Sequence, residues 1–355
     1  MQHQYIDRKT GQVRTEKFFR DKLVNFVYSN VRENATFCFN LVVSQRSSAL
    51  LSYLAFDFSF NWNRKQVEAF IENMGIDMSD CVLPLDCFLT PRQVFQRKIR
   101  YWACRPMPEA QTEPFSTKDD IQDNGIVVSP SDAKVLVGDL KSSAPLFIKG
   151  KFFEFEELLE KQVWTDTFRN GQYAIFRLTP DEYHYNHAPV TGWVADFYEI
   201  NGKFHACNPG AVVREVTPYS KNTRVVTIFN TDIQGGTCVG RVAMIEVAAM
   251  MVGQIDQCYS SHCYDSPCDM HQGMIVRKGQ PKSLFRPGSS TVILLFEAGR
   301  IRFSRDIVKN MNRTDAQSRF SLGFGAALVE TAVRVREAVA SSALLQVQKG
   351  GDNHI

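Results

Sequence analysis

The pattern of apolar and polar positions changes character near residue 115. Before it, "FFRDKLVNFVYSNV" sets Phe18, Phe19, Leu23, Phe26 and Val27 at near-helical intervals, and "RKQVEAFIENMGI" reads as an amphipathic helix. "LLSYLAFDFSFNW" is a dense apolar and aromatic run, and "PRQVFQRKIRYWACRP" reads as a basic helix closed by Pro106. The polar stretch "EAQTEPFSTKDDIQDN", residues 109–124, reads as a loop and a boundary. After it come short β-rich runs: "GIVVS", "KVLVGDL", "LFIKG", "YAIFRL", "GWVADFYEI", "GKFHAC", "TRVVTIFN", "RVAMIEVAAMMVGQI", "GMIVRKG" and "STVILLFEAGRIRF". Gly, Asn, Pro or Asp separates most of them, which predicts a mainly antiparallel sheet or barrel-like core. The tail "GAALVETAVRVREAVASSALLQVQ" has helical periodicity. The expected fold is α+β: an N-terminal helical region over residues 1–115, a β-rich core over 116–338 and a polar tail over 339–355.

Composition narrows the class without naming a function. With 355 residues, 44% hydrophobic and 22% charged, the chain can bury a full core as an ordinary globular protein. A formal net charge of +3 is too mild to argue for nucleic acid, although it suits loose attraction to an anionic surface. No run approaches the roughly 18 apolar residues of a membrane-spanning helix. The opening "MQHQYIDRKTGQVRTEKFF" is polar and mixed in charge, unlike a secretory signal, and nine cysteines, an odd number, favour reduced thiols in a cytosolic compartment. The aromatic, basic helices of the first 115 residues either cap the core or lay one face on a bilayer interface.

Candidate chemistry sits in four short elements: "SPSDA" with Asp132, "DEYHYNHAP" with His184 and His187, "HACNPGA" with Asn208, and "PGSST" with Ser290. A serine, a histidine and an acid brought together from separate strands make a nucleophile, a base and an orienting carboxylate. On the residues alone the two histidines are equally surface residues or metal ligands. Ser289 and Ser290 stand where a proline-glycine turn hands over to the apolar run "TVILLF". Cys258, Cys263, Cys268 and His271 form a C-x4-C-x4-C-x2-H pattern with soft ligands. That spacing fits no common zinc finger, so the expectation there is a variable loop and no metal.

Read in order, "SPSDA", "RLTPDEYHYNHAPVTG", "NPGAV", "NTRVVTIFNT", "VAMIEVAAMMVGQI" and "RKGQPKSLFRPGSSTVILLF" closely resemble the phosphatidylserine decarboxylases. The opening "YIDRKTG" resembles the start of that family's longer bacterial members, and the likeness runs over roughly residues 5–338. The resemblance implies a self-processing enzyme with a covalent pyruvoyl group derived from Ser290. It implies attack by the Ser290 hydroxyl on the carbonyl of Ser289, giving a β chain of 1–289 and an α chain from residue 290. A turn supplies the bend this needs, and small residues leave room for the tetrahedral intermediate. His187 is then the general base, Asp132 steadies its imidazolium, and His184 returns a proton to the substrate or places its carboxylate. The pyruvoyl ketone takes the electrons released as carbon dioxide leaves, the role otherwise filled by pyridoxal phosphate. Lys149, Asn208 and Arg224 are substrate-binding candidates.

The site departs from the family's usual glycine-serine-threonine element, since Ser289 stands where glycine donates the attacked carbonyl. Ala133 follows Asp132 where glycine is usual, and Pro281 and Pro287 stiffen the approach to the turn. The expected activity is conversion of phosphatidylserine to phosphatidylethanolamine by a peripheral protein on the cytoplasmic side of the membrane, as a homodimer of αβ protomers. The alternatives are a soluble cytoplasmic decarboxylase of a free amino acid and an unprocessed lipid-binding relative.

Overall fold

The computed structural model describes residues 2–18, 63–108, 125–140, 152–215, 217–250, 254–288 and 290–344, together with residues 28, 43, 44, 47 and 50. Lys149, Ser289 and the runs "LLSYLAFDFSFNW" and "LFIKG" lie wholly or almost wholly outside the described residues.

Among the described residues sixteen strands carry the fold: β1 Gln4–Asp7, β2 Val13–Thr15, β3 Ile126–Val128, β4 Ala133–Asp139, β5 Gln172–Leu178, β6 Tyr185–His187, β7 Gly192–Ile200, β8 Arg224–Asn230, β9 Arg241–Ala248, β10 Ile255–Gln257, β11 Ile275–Val276, β12 Pro281–Phe285, β13 Ser290–Phe296, β14 Ile301–Phe303, β15 Glu330–Val333 and β16 Ala338–Ser342. Ten of them form one sheet in the order β11-β7-β8-β9-β13-β5-β4-β15-β1-β2. All its pairings are antiparallel except β1 with β15. Two three-stranded sheets, β10-β12-β6 and β14-β16-β3, complete the β structure. The fold is α+β with a β-rich core, as the residue pattern predicts.

Strand β13 shows how the layers arise. Every residue of "STVILLF" is buried, because both faces of the central sheet are covered. Val292, Leu294 and Phe296 point into a core shared with Val127 of β3, Phe285 of β12 and Ala340 of β16. Ile293 and Leu295 point the other way, onto Leu158, Leu159, Phe168 and Phe320 from flanking helices. Alternation of successive side chains puts Ser290 on the first of these faces, the side closed by the small sheets.

Four local expectations change on folding, the first being "GKFHAC", which holds only an isolated bridge from Lys203 to Asn222 in place of a strand. The first residues form strands, because "QYID" gains a backbone ladder on β15. "PRQVFQRKIRYWACRP" is two short helices, Pro91–Phe95 and Tyr101–Cys104, rather than one. The first is fixed by a capping box between Thr90 and Gln93. The helical periodicity after residue 326 gives way to β15 and β16, whose β-branched residues fit a pleated ladder and whose partners β4, β14 and β3 are already there. The helix expected from "RKQVEAFIENMGI" is present as Arg64–Met74, capped by Asn63 and ended by Gly75. Among the described residues no helix is long and apolar enough to cross a membrane.

Candidate active site

Ser290 opens β13 and pairs with Leu178 of β5 and Ala248 of β9. Its hydroxyl is fully buried and has no hydrogen-bond partner among the described residues. A buried hydroxyl left unpaired costs about 1–3 kcal/mol, so its retention at a central strand asks for a chemical reason. Pro287 and Gly288 lead into the strand, and Gly288 sits at φ +152°, a backbone angle that residues with a side chain rarely adopt.

His184 precedes β6 and His187 ends it, and the strand runs antiparallel to β12. Pro281 lacks an N–H for the ladder, and the register slips between Pro281 and Ser283. His187 is held at three points. Its backbone N–H donates to the Pro130 carbonyl at 2.7 Å. Its Nδ1 lies 2.9 Å from the Gly279 carbonyl, and its Nε2 lies 2.9 Å from the Tyr183 hydroxyl. A carbonyl only accepts, so Nδ1 carries the proton and Nε2 the lone pair. Gly279 adopts φ +77°, and a Cβ there would press on the Met107 sulfur at 2.5 Å. Burial pushes the His187 imidazole down to about 3, opposed by its contact with the Gly279 carbonyl. Arg336 and Arg105 add to the push, and the Asp132 charge opposes it. His187 is therefore neutral near pH 7, with its Nε2 lone pair turned to the Tyr183 hydroxyl.

His184 lies under the Phe95 ring, centroids 3.7 Å apart. Its Nδ1 sits 2.8 Å from the Glu182 carbonyl, and its buried Nε2 has no partner among the described residues. Burial, and secondarily the Arg97 charge, push it down to about 3. In this state His184 offers a lone pair at Nε2 and has no proton there to give.

Asp132 is engaged elsewhere. Its oxygens accept from Arg105 Nε at 3.2 Å and Nη2 at 2.8 Å, and Oδ1 also accepts the Val335 N–H at 2.8 Å. Arg105 reaches Asp80 with its remaining end at 2.7 Å. Among the described residues, no hydrogen bond joins Ser290, His187 and Asp132 into the linked triad expected from the sequence. Asp132, Arg105, Arg97, Ile99, Tyr183 and Val335 line a cleft of about 530 Å³, while Ser290 and both histidines do not line it.

Asn208 and Arg224 are both engaged with backbone groups. Asn208 caps the short helix Pro209–Val212, its Oδ1 accepting the Gly210 N–H at 2.8 Å. Arg224 is buried and donates to the carbonyls of Leu158, Asn222 and Glu157 and to Glu160 Oε1 at 3.2 Å. Those bonds fasten the helix Phe155–Leu159 to the sheet, the structural alternative to a phosphate contact. The ligand atoms of Cys258, Cys263, Cys268 and His271 do not converge; among the described residues the one such cluster is His3, Glu16 and Glu330. Arg177 donates to both of those carboxylates, which makes this cluster an ion-pair network between chain ends.

Residues 92–321 match the family model for phosphatidylserine decarboxylase. The chain belongs to the phosphatidylserine decarboxylase family. It is 28% identical over 308 residues to a phosphatidylserine decarboxylase proenzyme of Fusobacterium nucleatum subsp. nucleatum, covering 86% of this chain and 91% of the relative. A proenzyme of that name from Clostridium tetani is 28% identical over 317 residues, 87% of this chain and 92% of the relative. The phosphatidylserine decarboxylase proenzyme 2 of Oryza sativa subsp. japonica is 31% identical over 252 residues, 70% of this chain and 36% of that longer protein.

Sequence reading missed much of the neighbourhood that sets the state of this family's histidines here. Tyr101 meets His187 edge-on with centroids 4.8 Å apart, and Tyr264 reaches Tyr183 hydroxyl to hydroxyl at 2.6 Å. Tyr183 stands beside His184 in the quoted element and Arg105 precedes Pro106, so both were in view without a signal of their partners. Strand β6 is tied to the central sheet by a second buried group. Glu246 accepts from Lys282 Nζ at 2.6 Å, from Asn186 Nδ2 at 3.1 Å and from the Ser283 hydroxyl.

Proposed function

We propose that this chain is a self-processing, pyruvoyl-dependent decarboxylase that converts phosphatidylserine to phosphatidylethanolamine and carbon dioxide. The observation that carries the reading is the Ser290 hydroxyl, buried and unpartnered at the mouth of the central strand directly after a proline-glycine turn. In the processing step its oxygen attacks the carbonyl carbon of Ser289, and His187 Nε2 takes the hydroxyl proton. The 289–290 amide C–N bond breaks and the amino group of residue 290 takes a proton. Elimination then breaks the Cβ–O bond of the ester and leaves a carboxylate on residue 289. Water adds to the dehydrated residue, ammonia leaves, and a pyruvoyl group stands at residue 290.

The residues present suit that group, because the strand that begins at 290 is buried along its length and keeps the new terminus inside. When bound at residue 290, the pyruvoyl carbonyl supplies the electron sink for loss of carbon dioxide. The chain's own residues hold and orient. Asp132, although clasped by Arg105, still acts on His187 through its charge, which favours the imidazolium formed on proton uptake. His184 keeps a buried Nε2, unpartnered among the described residues, that accepts a proton or a hydrogen bond. Among the described residues Arg97 hydrogen-bonds only the carbonyls of Val94 and Asp181, and its guanidinium lines the neighbouring cleft, where it suits an anionic headgroup.

We place the enzyme on the cytoplasmic side of the membrane as a peripheral protein and a homodimer of αβ protomers. Leu83, Leu89 and Trp102, exposed on the N-terminal segments, support the bilayer contact. A soluble decarboxylase of a free amino acid is the second reading, favoured by Ser289 at the cleavage point and by the charged lining of the cleft. Mass spectrometry of the purified protein tests processing: two chains divided before residue 290 support it, and a single intact chain would leave a lipid-binding relative. Carbon dioxide release from phosphatidylserine vesicles, set against serine and other free amino acids, tests the substrate. Release from the free amino acids alone overturns the lipid assignment.

A further inference from the structure

We propose that Tyr264, carried in by the loop between β10 and β11, is a positioning residue that switches the His187 lone pair between a capped and an open state. The inference rests on the reading of His187 as the base on Ser290, and deepens it.

The loop is built to present this side chain. Cys263 and Tyr264 both adopt left-handed backbone, φ 44° and 66°. The Cys263 N–H donates to the Tyr101 hydroxyl at 3.1 Å, and the Ser260 hydroxyl bridges the loop's own carbonyls at His262 and Asp265. Tyr264 is buried, its ring edge-on to Tyr101 and Tyr185. Its hydroxyl meets the Tyr183 hydroxyl at 2.6 Å, the Ile99 carbonyl at 3.0 Å and the Ile99 N–H at 3.2 Å. Beyond Tyr183, at 2.9 Å, lies His187 Nε2.

Each hydroxyl has one hydrogen, so this row supports two arrangements. In the capped state Tyr264 donates to Tyr183 and Tyr183 donates to His187 Nε2. In the open state Tyr183 donates to Tyr264, Tyr264 donates to the Ile99 carbonyl, and Nε2 is bare and able to take the Ser290 proton. The Ile99 carbonyl is not orphaned in the capped state, because the Tyr101 N–H donates to it at 2.8 Å. The two states thus differ mainly by the bond to Nε2, and Tyr264 is what makes the open one accessible. Without its oxygen, Tyr183 has no acceptor other than the imidazole among these groups.

The test is the rate of self-processing after synthesis, measured against pH, in Tyr264→Phe, Tyr183→Phe, the double variant and His187→Asn. Both phenylalanines keep the ring packing, and a urea midpoint near that of the parent chain confirms that each variant is folded. Tyr264→Phe leaves the cap in place, so processing slows about fivefold, the worth of one hydrogen bond, and its apparent pKa falls. Tyr183→Phe removes the cap, so processing quickens and the apparent pKa rises. The double variant follows Tyr183→Phe. A merely structural pair would instead give losses that add. Tyr264→Phe at the parent rate, or a double variant slower than Tyr183→Phe, overturns the switch while His187→Asn still blocks processing. Normal processing in His187→Asn overturns the base assignment and the switch with it.

Discussion

Arg105 clasps Asp132 through Nε and Nη2, at 3.2 and 2.8 Å, and with its other end reaches Asp80 at 2.7 Å. This relationship replaces the direct Asp132–His187 link that the order of motifs suggests. The carboxylate is oriented by a guanidinium from the N-terminal segment, and its charge reaches the imidazole through space.

Arg105→Met leaves two carboxylates without their partner. Breaking a largely buried ion pair from one side costs about 3 kcal/mol, read as a lower urea midpoint. The same change removes one of the positive charges that depress the His187 imidazole, so the processing profile shifts to higher pH. Arg105→Lys restores less than half of the stability, since one ammonium cannot span both acids. Equal midpoints for the methionine variant and the parent chain contradict this account.

Ser290→Ala separates stability from chemistry. It removes a buried hydroxyl that has no partner, so the melting temperature stays level or rises by the equivalent of about 1 kcal/mol. The same variant remains a single chain and releases no carbon dioxide. A markedly less stable alanine variant means that the hydroxyl is bonded in solution.

Glu246 and Lys282 are both fully buried and 2.6 Å apart, joining the central sheet to the strand next to the histidines. Lys282→Met alone strands the carboxylate and lowers stability by about 3–5 kcal/mol. Adding Glu246→Gln recovers most of that loss, which a double-mutant cycle by denaturant unfolding measures. Additive losses argue against the pair as the dominant contact.

Acid titration reports the histidines. His184 and His187 fall from an ordinary value near 6.5 to about 3 on burial. Between those values the unfolded chain binds protons that the folded chain refuses, so stability falls as pH drops. Each contributes about 1.4 kcal/mol per pH unit across that window. Glu330, lowered to about 2 by Arg177 and His3 against its burial, adds a loss of the same sign from about pH 4.5 downward. Replacing either histidine by Asn flattens the slope of unfolding free energy from pH 6.5 to 4. An unchanged slope in both variants counts against neutral burial.

The residues alone determined the central strands β4, β5, β7, β8, β9 and β13, because alternation and a β-branched, aromatic run such as "STVILLF" act between neighbours in the chain. They also placed the serine after its turn and named the paired histidines. Tertiary structure decided what those groups touch. His3 lies 2.7 Å from Glu330, Arg105 holds Asp132, and Tyr264 meets Tyr183 at 2.6 Å. Those partners are 327, 27 and 81 positions apart, and no local period encodes them. The helical pattern after residue 326 lost to strand pairing for the same reason. A ladder waiting on β4 outweighs a propensity worth a few tenths of a kcal/mol per residue.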